Sequence, residues 1–364
     1  MKTGMAATCF RRGMRGLASL ASEATAMERW LDGPKRAACE AILQSWSDEV
    51  SDRKAISSTA SLPDVKSLAE VFAVHDALVA SPEARRLGGF CGYKLGWKNH
   101  PLLDAGGEIQ QGLSAMYSPI FAGCFRDTCQ SGTPAHVSLS RHKIFAAEAE
   151  YCFVLANGLT PRSTPYSEAE VWNAVSHVES CIELCGVRAV AVPPHDALLP
   201  LADFFLEGLS PYQLLSDAML NALTIRGPTV ALGGAQGTVA PPLVLATGKV
   251  RLLAEGVEVS CGTGHENPGD SPLASLTFLV NDLTHRRGRS LDAGAVVIAG
   301  HTCQLRFPNR PSPRPARALP KALMARNPTP TEPSSLPLAP ALAPRTSLVA
   351  EFEAGAKVEV VLLP

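Results

Sequence analysis

The stretch Ala147-Glu148-Ala149-Glu150-Tyr151-Cys152-Phe153-Val154-Leu155 places the strongest demand on any fold this chain can adopt. Aliphatic and aromatic residues, no Pro or Gly, and the Asn157-Gly158 turn signal just beyond it mark a β-strand. Side chains alternate along a strand, so Tyr151, Phe153 and Leu155 share one face and Glu148 and Glu150 lie side by side on the other. Two adjacent carboxylates repel unless a positive charge sits between them or both face water. A half-exposed strand with a wet acidic edge is the plain reading; a metal site is the sharper one, and the rest of the chain bears on it.

A capping box, Ser167-Glu168-Ala169-Glu170, follows the acidic strand. The pattern predicts that its helix buries Val171, Val175, Val178 and Ile182 and ends near Glu183-Leu184-Cys185-Gly186. A third carboxylate, Glu183, then falls at a helix end. Three oxygen donors from a strand pair and a helix end suit a hard divalent cation, Mg²⁺ or Mn²⁺. The absence of His or Cys at ligand spacing disfavours zinc. Upstream, Gly88-Gly89-Phe90-Cys91-Gly92-Tyr93-Lys94-Leu95-Gly96-Trp97 reads as a glycine-bracketed strand. Lys94 within it is expected to snorkel to water; buried, it would be able to move protons. The next loop, about 98 to 115, carries His100, Asp104 and Glu108 and has the length of a flap or a plain loop.

The chain has 364 residues, 46% of them apolar and 18% charged, enough for a sizeable core. A net charge of −1 argues against a nucleic-acid partner. No apolar run is long enough to span a bilayer, so no membrane partner is expected. The ten cysteines include no Cys-x-x-Cys pair, which removes zinc-ribbon and thioredoxin-type readings and leaves buried reduced thiols.

Residues 1–27 hold Lys2, Arg11, Arg12 and Arg15 before the first acid, Glu23. That is the composition of a mitochondrial transit peptide, or of a disordered basic tail on a cytoplasmic protein. Residues 28–90 read as a helical region, with a second helix from Pro63 through Leu68, Val71, Phe72 and Leu78 to a Ser81-Pro82 break. Pro119 to Gly132 reads as irregular. Leu243-Val244-Leu245 and Val250 to Val259 look strand-like, as does Val296 to Thr302, and Pro272 opens an apolar helix. Gly262-Thr263-Gly264 lacks the third Gly and the acidic follow-up of a dinucleotide fingerprint. Residues 308–344 contain eleven prolines and a single acid, Glu332. This is an extended, low-complexity insertion, able to dock a proline-reading partner. Two strands, Ser347 to Phe352 and Lys357 to Val361, return the chain to the fold, so the catalytic unit is expected over 91–307 and 345–364.

Glu148-Ala149-Glu150 on a strand, then Ile182-Glu183-Leu184-Cys185-Gly186-Val187-Arg188, resembles the 2-keto-4-pentenoate hydratase branch of the fumarylacetoacetate hydrolase superfamily. Gly92-Tyr93-Lys94-Leu95-Gly96 is similar to that branch's lysine segment, and Gly262 to Gly264, Asp292-Ala293-Gly294 and Gly300 to Thr302 are similar to its later part. The resemblance implies a mixed α/β (α+β) fold, a β-roll or sandwich with flanking helices. It implies Mg²⁺ or Mn²⁺ on Glu148, Glu150 and Glu183, Lys94 beside the substrate, Gly300 and Thr302 lining its pocket, and a homo-oligomer. Asp217 stands in place of a family Ala-Asp-Asn-Ala-Ser type segment, while Ala218, Leu220 and Met116 depart from family residues. The implied activity is a metal-dependent lyase on a small 2-oxo acid, through an enolate the cation stabilises, with Lys94 as proton carrier. An acylpyruvate hydrolase, with His100 and Glu108 activating water, an oxaloacetate decarboxylase, or a non-catalytic scaffold are the alternatives.

Overall fold

A computed structural model describes residues 65–96, 115–128, 133–139, 144–186, 211–230, 241–307 and 345–363, with 354 excepted. The N-terminal 1–64, the loop with His100 and Glu108, and the Pro-rich insertion 308–344 lie outside these residues. In chain order the described elements are helices α1 (Leu68–Ala80) and α2 (Pro82–Arg86), then strands β1 (Phe90–Gly96), β2 (Met116–Phe121), β3 (Phe125–Asp127), β4 (Ala135–Ser138) and β5 (Ile144–Leu155). Helix α3 (Glu168–Ala174), β6 (Val175–Gly186), α4 (Pro211–Ser216), β7 (Asn221–Thr229), α5 (Pro241–Thr247), β8 (Lys249–Ala254) and β9 (Val257–Thr263) follow. Helix α6 (Pro272–Asn281), β10 (Val296–Arg306), β11 (Thr346–Phe352) and β12 (Lys357–Leu363) complete the set. No described helix is long and apolar enough to cross a membrane.

The strands form two sheets, a curled seven-stranded one in the order β2-β1-β10-β5-β6-β7-β3 and a five-stranded one in the order β4-β12-β11-β8-β9. The antiparallel pair β5–β6 is the spine of the larger sheet: the two strands have 12 residues each and pair along nearly their whole length. Alternation sorts their side chains. Ala147, Ala149, Tyr151, Phe153 and Leu155 of β5, with Val178, Ile182 and Leu184 of β6, enter the main core. There they meet Val250 and Leu252 of β8, Leu348, Ala350 and Phe352 of β11, and Leu276, Leu279 and Val280 of α6. Tyr151 and Phe352 meet edge to face across the sheets at 5.3 Å. The expected fold class is therefore the observed one.

Four local expectations are corrected. The helix after the capping box stops at Ala174, and residues 175–186 form β6. Glu183 is thus a mid-sheet residue, not a helix-end one. Leu243 to Leu245 lies in helix α5, which Pro241-Pro242 opens. The segment from Pro119, read as irregular, contains the end of β2 and the whole of β3. The capping box itself is present, with Ser167 accepting from the Glu170 N–H and Glu170 accepting from the Ser167 N–H.

Helix α1 packs Val71, Val74 and Leu78 against Met116 and Phe121 of β2. Polar contacts fix its position. Tyr117 donates to Asp282 at 2.5 Å and accepts from Arg287 at 2.7 Å, while Arg289 pairs with Asp76 of α1 at 2.6 Å. His75 of α1 is buried, and its Nε2 donates to the Leu215 carbonyl at 2.9 Å; the same carbonyl accepts the Ser118 hydroxyl at 2.7 Å. One carbonyl thereby ties α1, β2 and α4 together.

Burial pulls the His75 pKa down to about 3, with the Leu215 bond opposing and Arg287 reinforcing the shift. The folded protein keeps this ring neutral where the unfolded chain protonates it. Its contribution is present above the unfolded pKa near 6.5 and is lost as pH falls toward 3. Urea melts of His75→Gln, which keeps a donor without the charge, should lose about 2 kcal/mol less than the parent between pH 7 and pH 5. Equal acid losses in the two proteins would show that His75 does not set this slope.

Candidate active site

Lys94, Glu148, Glu150 and Glu183 converge on the face of the large sheet turned away from the main core. Register brings them there. Glu148 pairs with Glu183 across β5–β6, Glu150 pairs with Cys181, and Gln304 of β10 pairs with Glu148. The same face continues as a small apolar patch of Ile120, Cys152, Cys181, Val296 and Ile298. Beyond that patch Arg226 makes a two-pronged bond to Glu179, at 2.7 Å on each arm.

Strand β10 is built around the glutamates. Residues 300–302 fill an interval in which β5 has only Glu150, so the strand bulges there. A Cβ on Gly300 would land on the Glu150 carboxylate, and glycine is what allows that side chain to lie against the bulge. Thr302 turns to the other partner of this region and accepts from Asn267 at 3.2 Å.

All four charged residues are buried, Glu150 and Glu183 at 0% exposure. Lys94 is paired with Glu183 and lies 3.8 Å from Glu148. The expectation of a surface Lys94 is overturned, because β5 and β6 place carboxylates within its reach. Two opposed effects set the Lys94 pKa. Burial does pull it down, but Glu183, Glu148 and Glu150 outweigh burial and hold it well above the ordinary value. Glu183 also accepts from Asn221 at 3.0 Å, and Gln304 donates to Glu148. Neither oxygen of Glu150 receives a hydrogen bond. Burial, then the neighbouring Glu183, push the Glu150 pKa well up against the pull of Lys94.

Asn221 arrives by a strained route. Ala218, Met219 and Leu220 all have positive φ, at 49°, 52° and 71°. Three successive non-glycine residues in the left-handed region cost on the order of 1–3 kcal/mol each. Asp217 is buried at the entrance to this turn, but the side chain that reaches Glu183 from it is Asn221. Asn221 also donates to Thr224 at 2.9 Å. His100 lies outside the described residues.

The oxygens of Glu148 and Glu183 and the sulfur of Cys185 lie within 4.8 Å of one another. The view that no cysteine accompanies the carboxylates is thereby corrected: Cys185 follows Glu183 by two residues on β6 and shares its face. Cys185, Asn221 and Gln304 were all missed in the sequence. Alternation along β6 would have exposed Cys185 had that strand been recognised; Asn221 and Gln304 carry no local signal.

Three buried carboxylates face one ammonium, and one carboxylate has no donor on either oxygen. Carboxylates gathered in a dry setting fit a divalent cation; Glu148 and Glu183, with Cys185, lie close enough to share one, and Glu150 is buried on the same face.

The fold is similar to that of 4-oxalocrotonate decarboxylase from Pseudomonas putida G7. The complex of that enzyme with magnesium and adipate aligns at a TM-score of 0.55 and 16% identity, over 89% of this chain and 98% of that one. Its complex with calcium and acetate aligns at 0.54 and 14% identity over the same shares. The chain has the fumarylacetoacetate hydrolase-type fold. No family model matches the sequence, and no curated protein matches it.

Glu150 holds a cost that the metal-free protein carries alone. Glu150→Gln keeps the shape and removes the buried charge, so in EDTA it should melt later, by about 1–3 kcal/mol of added stability. The same variant should lose the upward melting shift that Mg²⁺ or Mn²⁺ gives the parent. A variant that melts earlier in EDTA would show that Glu150 is satisfied in the folded state.

Proposed function

We propose that the protein is a divalent-metal-dependent enzyme that breaks a carbon–carbon bond in a small 2-oxo acid, and that it decarboxylates its substrate. The observation carrying this reading is the buried set of Glu148, Glu150 and Glu183 with Lys94 among them. The name of the 4-oxalocrotonate decarboxylase that shares the fold supports the choice of reaction. Mg²⁺ or Mn²⁺ held by the three glutamates would polarise the 2-oxo group and stabilise negative charge developing on it.

The chain's own groups divide the remaining work. Gln304 and Asn221 orient Glu148 and Glu183 by donating to one oxygen of each, while the other oxygen of each faces Lys94. Burial keeps water away from the charged face and strengthens each interaction on it. When CO₂ leaves, the bonding electron pair moves toward the 2-oxo oxygen, and a carbon must then take a proton. Lys94, held protonated by its carboxylate neighbours, is the acid at hand. Hydration and hydrolysis require in addition a base that activates water, and the sequence candidates for it, His100 and Glu108, lie outside the described residues. Decarboxylation needs only the charge sink and the acid.

Full-length protein should release CO₂ from 4-oxalocrotonate or oxaloacetate with Mg²⁺ or Mn²⁺ and not in EDTA. Glu148→Gln, Glu183→Gln and Lys94→Met should each lower that rate by at least about 10²-fold. No CO₂ from either acid, with metal-dependent loss of 2-hydroxypenta-2,4-dienoate absorbance, would return the reading to a hydratase.

A further inference from the structure

A cysteine among the proposed metal ligands changes which cation the site selects. Two other buried cysteines on this face have plain packing roles: Cys152 and Cys181 sit in the apolar patch with Ile120, Val296 and Ile298. Cys185 is equally buried but lies among charged groups, with Glu148, Glu183, Lys94 and Glu150 all acting on it. Its cross-strand partner on β5 is Ala146, too small to intervene between the sulfur and the neighbouring Glu148. The β6–β7 ladder slips between Leu184 and Cys185, where Asn221 is its partner.

The spacing would let one ion draw the three groups together. The Cys185 sulfur and the Glu148 and Glu183 oxygens lie within 4.8 Å of one another. Donors bound tetrahedrally to one ion at roughly 2.0–2.3 Å sit about 3.3–3.8 Å apart, so the three groups would close in by about an ångström on binding. A second, independent observation marks the place as built for a ligand: Glu150 is fully buried on the same face with no donor on either oxygen.

We propose that Cys185 is a metal ligand, and that its sulfur turns an all-oxygen site into a mixed carboxylate–thiolate site preferring a borderline cation such as Zn²⁺ or Co²⁺ over Mg²⁺. Thiolate is a soft donor that Mg²⁺ takes poorly and Zn²⁺ and Co²⁺ take well. Formation of the sulfur–metal bond would release the thiol proton; the three glutamates, when all ionised, and the thiolate would carry four negative charges against three from the cation and Lys94. The inference rests on the glutamate metal site described above.

The test is a Co²⁺ titration of the full chain under reducing conditions, followed by the thiolate-to-cobalt charge-transfer absorbance, with bound metal measured in parallel by equilibrium dialysis. The parent should bind one Co²⁺ per chain with a charge-transfer band. Cys185→Ser should lose the band and bind Co²⁺ and Zn²⁺ more weakly, by at least the roughly 10–100-fold that loss of a supporting residue costs, without a comparable loss for Mg²⁺. Cys152→Ser, altered in the apolar patch, should keep the band. Bound Co²⁺ without a band in the parent, or a band that survives Cys185→Ser, overturns the role of Cys185 while leaving the glutamate site standing. Parent protein that binds no Co²⁺, Mn²⁺ or Mg²⁺ at all overturns both.

Discussion

Like charge held together out of water is the constraint to which the large sheet is fitted. Glu148, Glu150 and Glu183 are brought side by side by strand register alone, and a single ammonium, Lys94, offsets them. Carboxylates at such separations in a poorly screened interior cost several kcal/mol unless something positive or a donor meets them. The surrounding features answer that cost one by one. Gln304 serves Glu148, Asn221 serves Glu183, and Gly300 with the β10 bulge makes room for Glu150. Glu150 alone receives no donor. A fold selected only for stability would have placed an apolar residue there.

The same strand pair builds the core and the charged face, and this makes register the quantity that cannot drift. A slip of one residue in β5 would carry Glu148 and Glu150 into contact with Leu252, Leu348 and Phe352, and turn Tyr151 and Phe153 toward the charges. The penalty for that exchange is what locks the site geometry. The bulge in β10 lies exclusively where the charged face needs it: the pairs on either side, Ala299 with Tyr151 and Cys303 with Ala149, belong to the core face and stay in step. The strain is local too. It is concentrated in Ala218 to Leu220, a turn backed by the packed α1–β2 layer, where Ala218 and Met219 are buried.

Much of this was legible in the chain itself, and the failures have a common cause. The alternation over Ala147 to Leu155 gave β5 and both its faces, because a strand buried on one side by large residues writes a period of two. The spacing of Val171, Val175, Val178 and Ile182 by three and four predicts a helix ending near Glu183. A step of four fits both periods: Val178 and Ile182 share a helix face, and they also share a strand face. The β-branched content of 175–182 was the evidence that favoured a strand. Lys94 was expected at the surface because its partners come from strands more than fifty residues away, and no local pattern encodes a long-range pairing. Asn221 and Gln304 were invisible for the same reason. The acids could be recognised by type, whereas the neutral groups that hold them could be recognised only by where the sheet puts them.

Lys94 and a divalent cation draw on the same carboxylates, and this couples them. Glu183 and Glu148 are turned to the ammonium, which is why its pKa stands high despite burial. Any cation attracted to this face takes up part of the negative charge that now holds Lys94. The ammonium then loses stabilisation by the amount its partners are shared, and its tendency to release a proton rises accordingly. Neither group can be understood by itself: the carboxylates are too many for one lysine, and a divalent ion bound to them would loosen their hold on its proton. On the proposed reading, a lysine held in this way would give a proton to carbon and recover it afterwards.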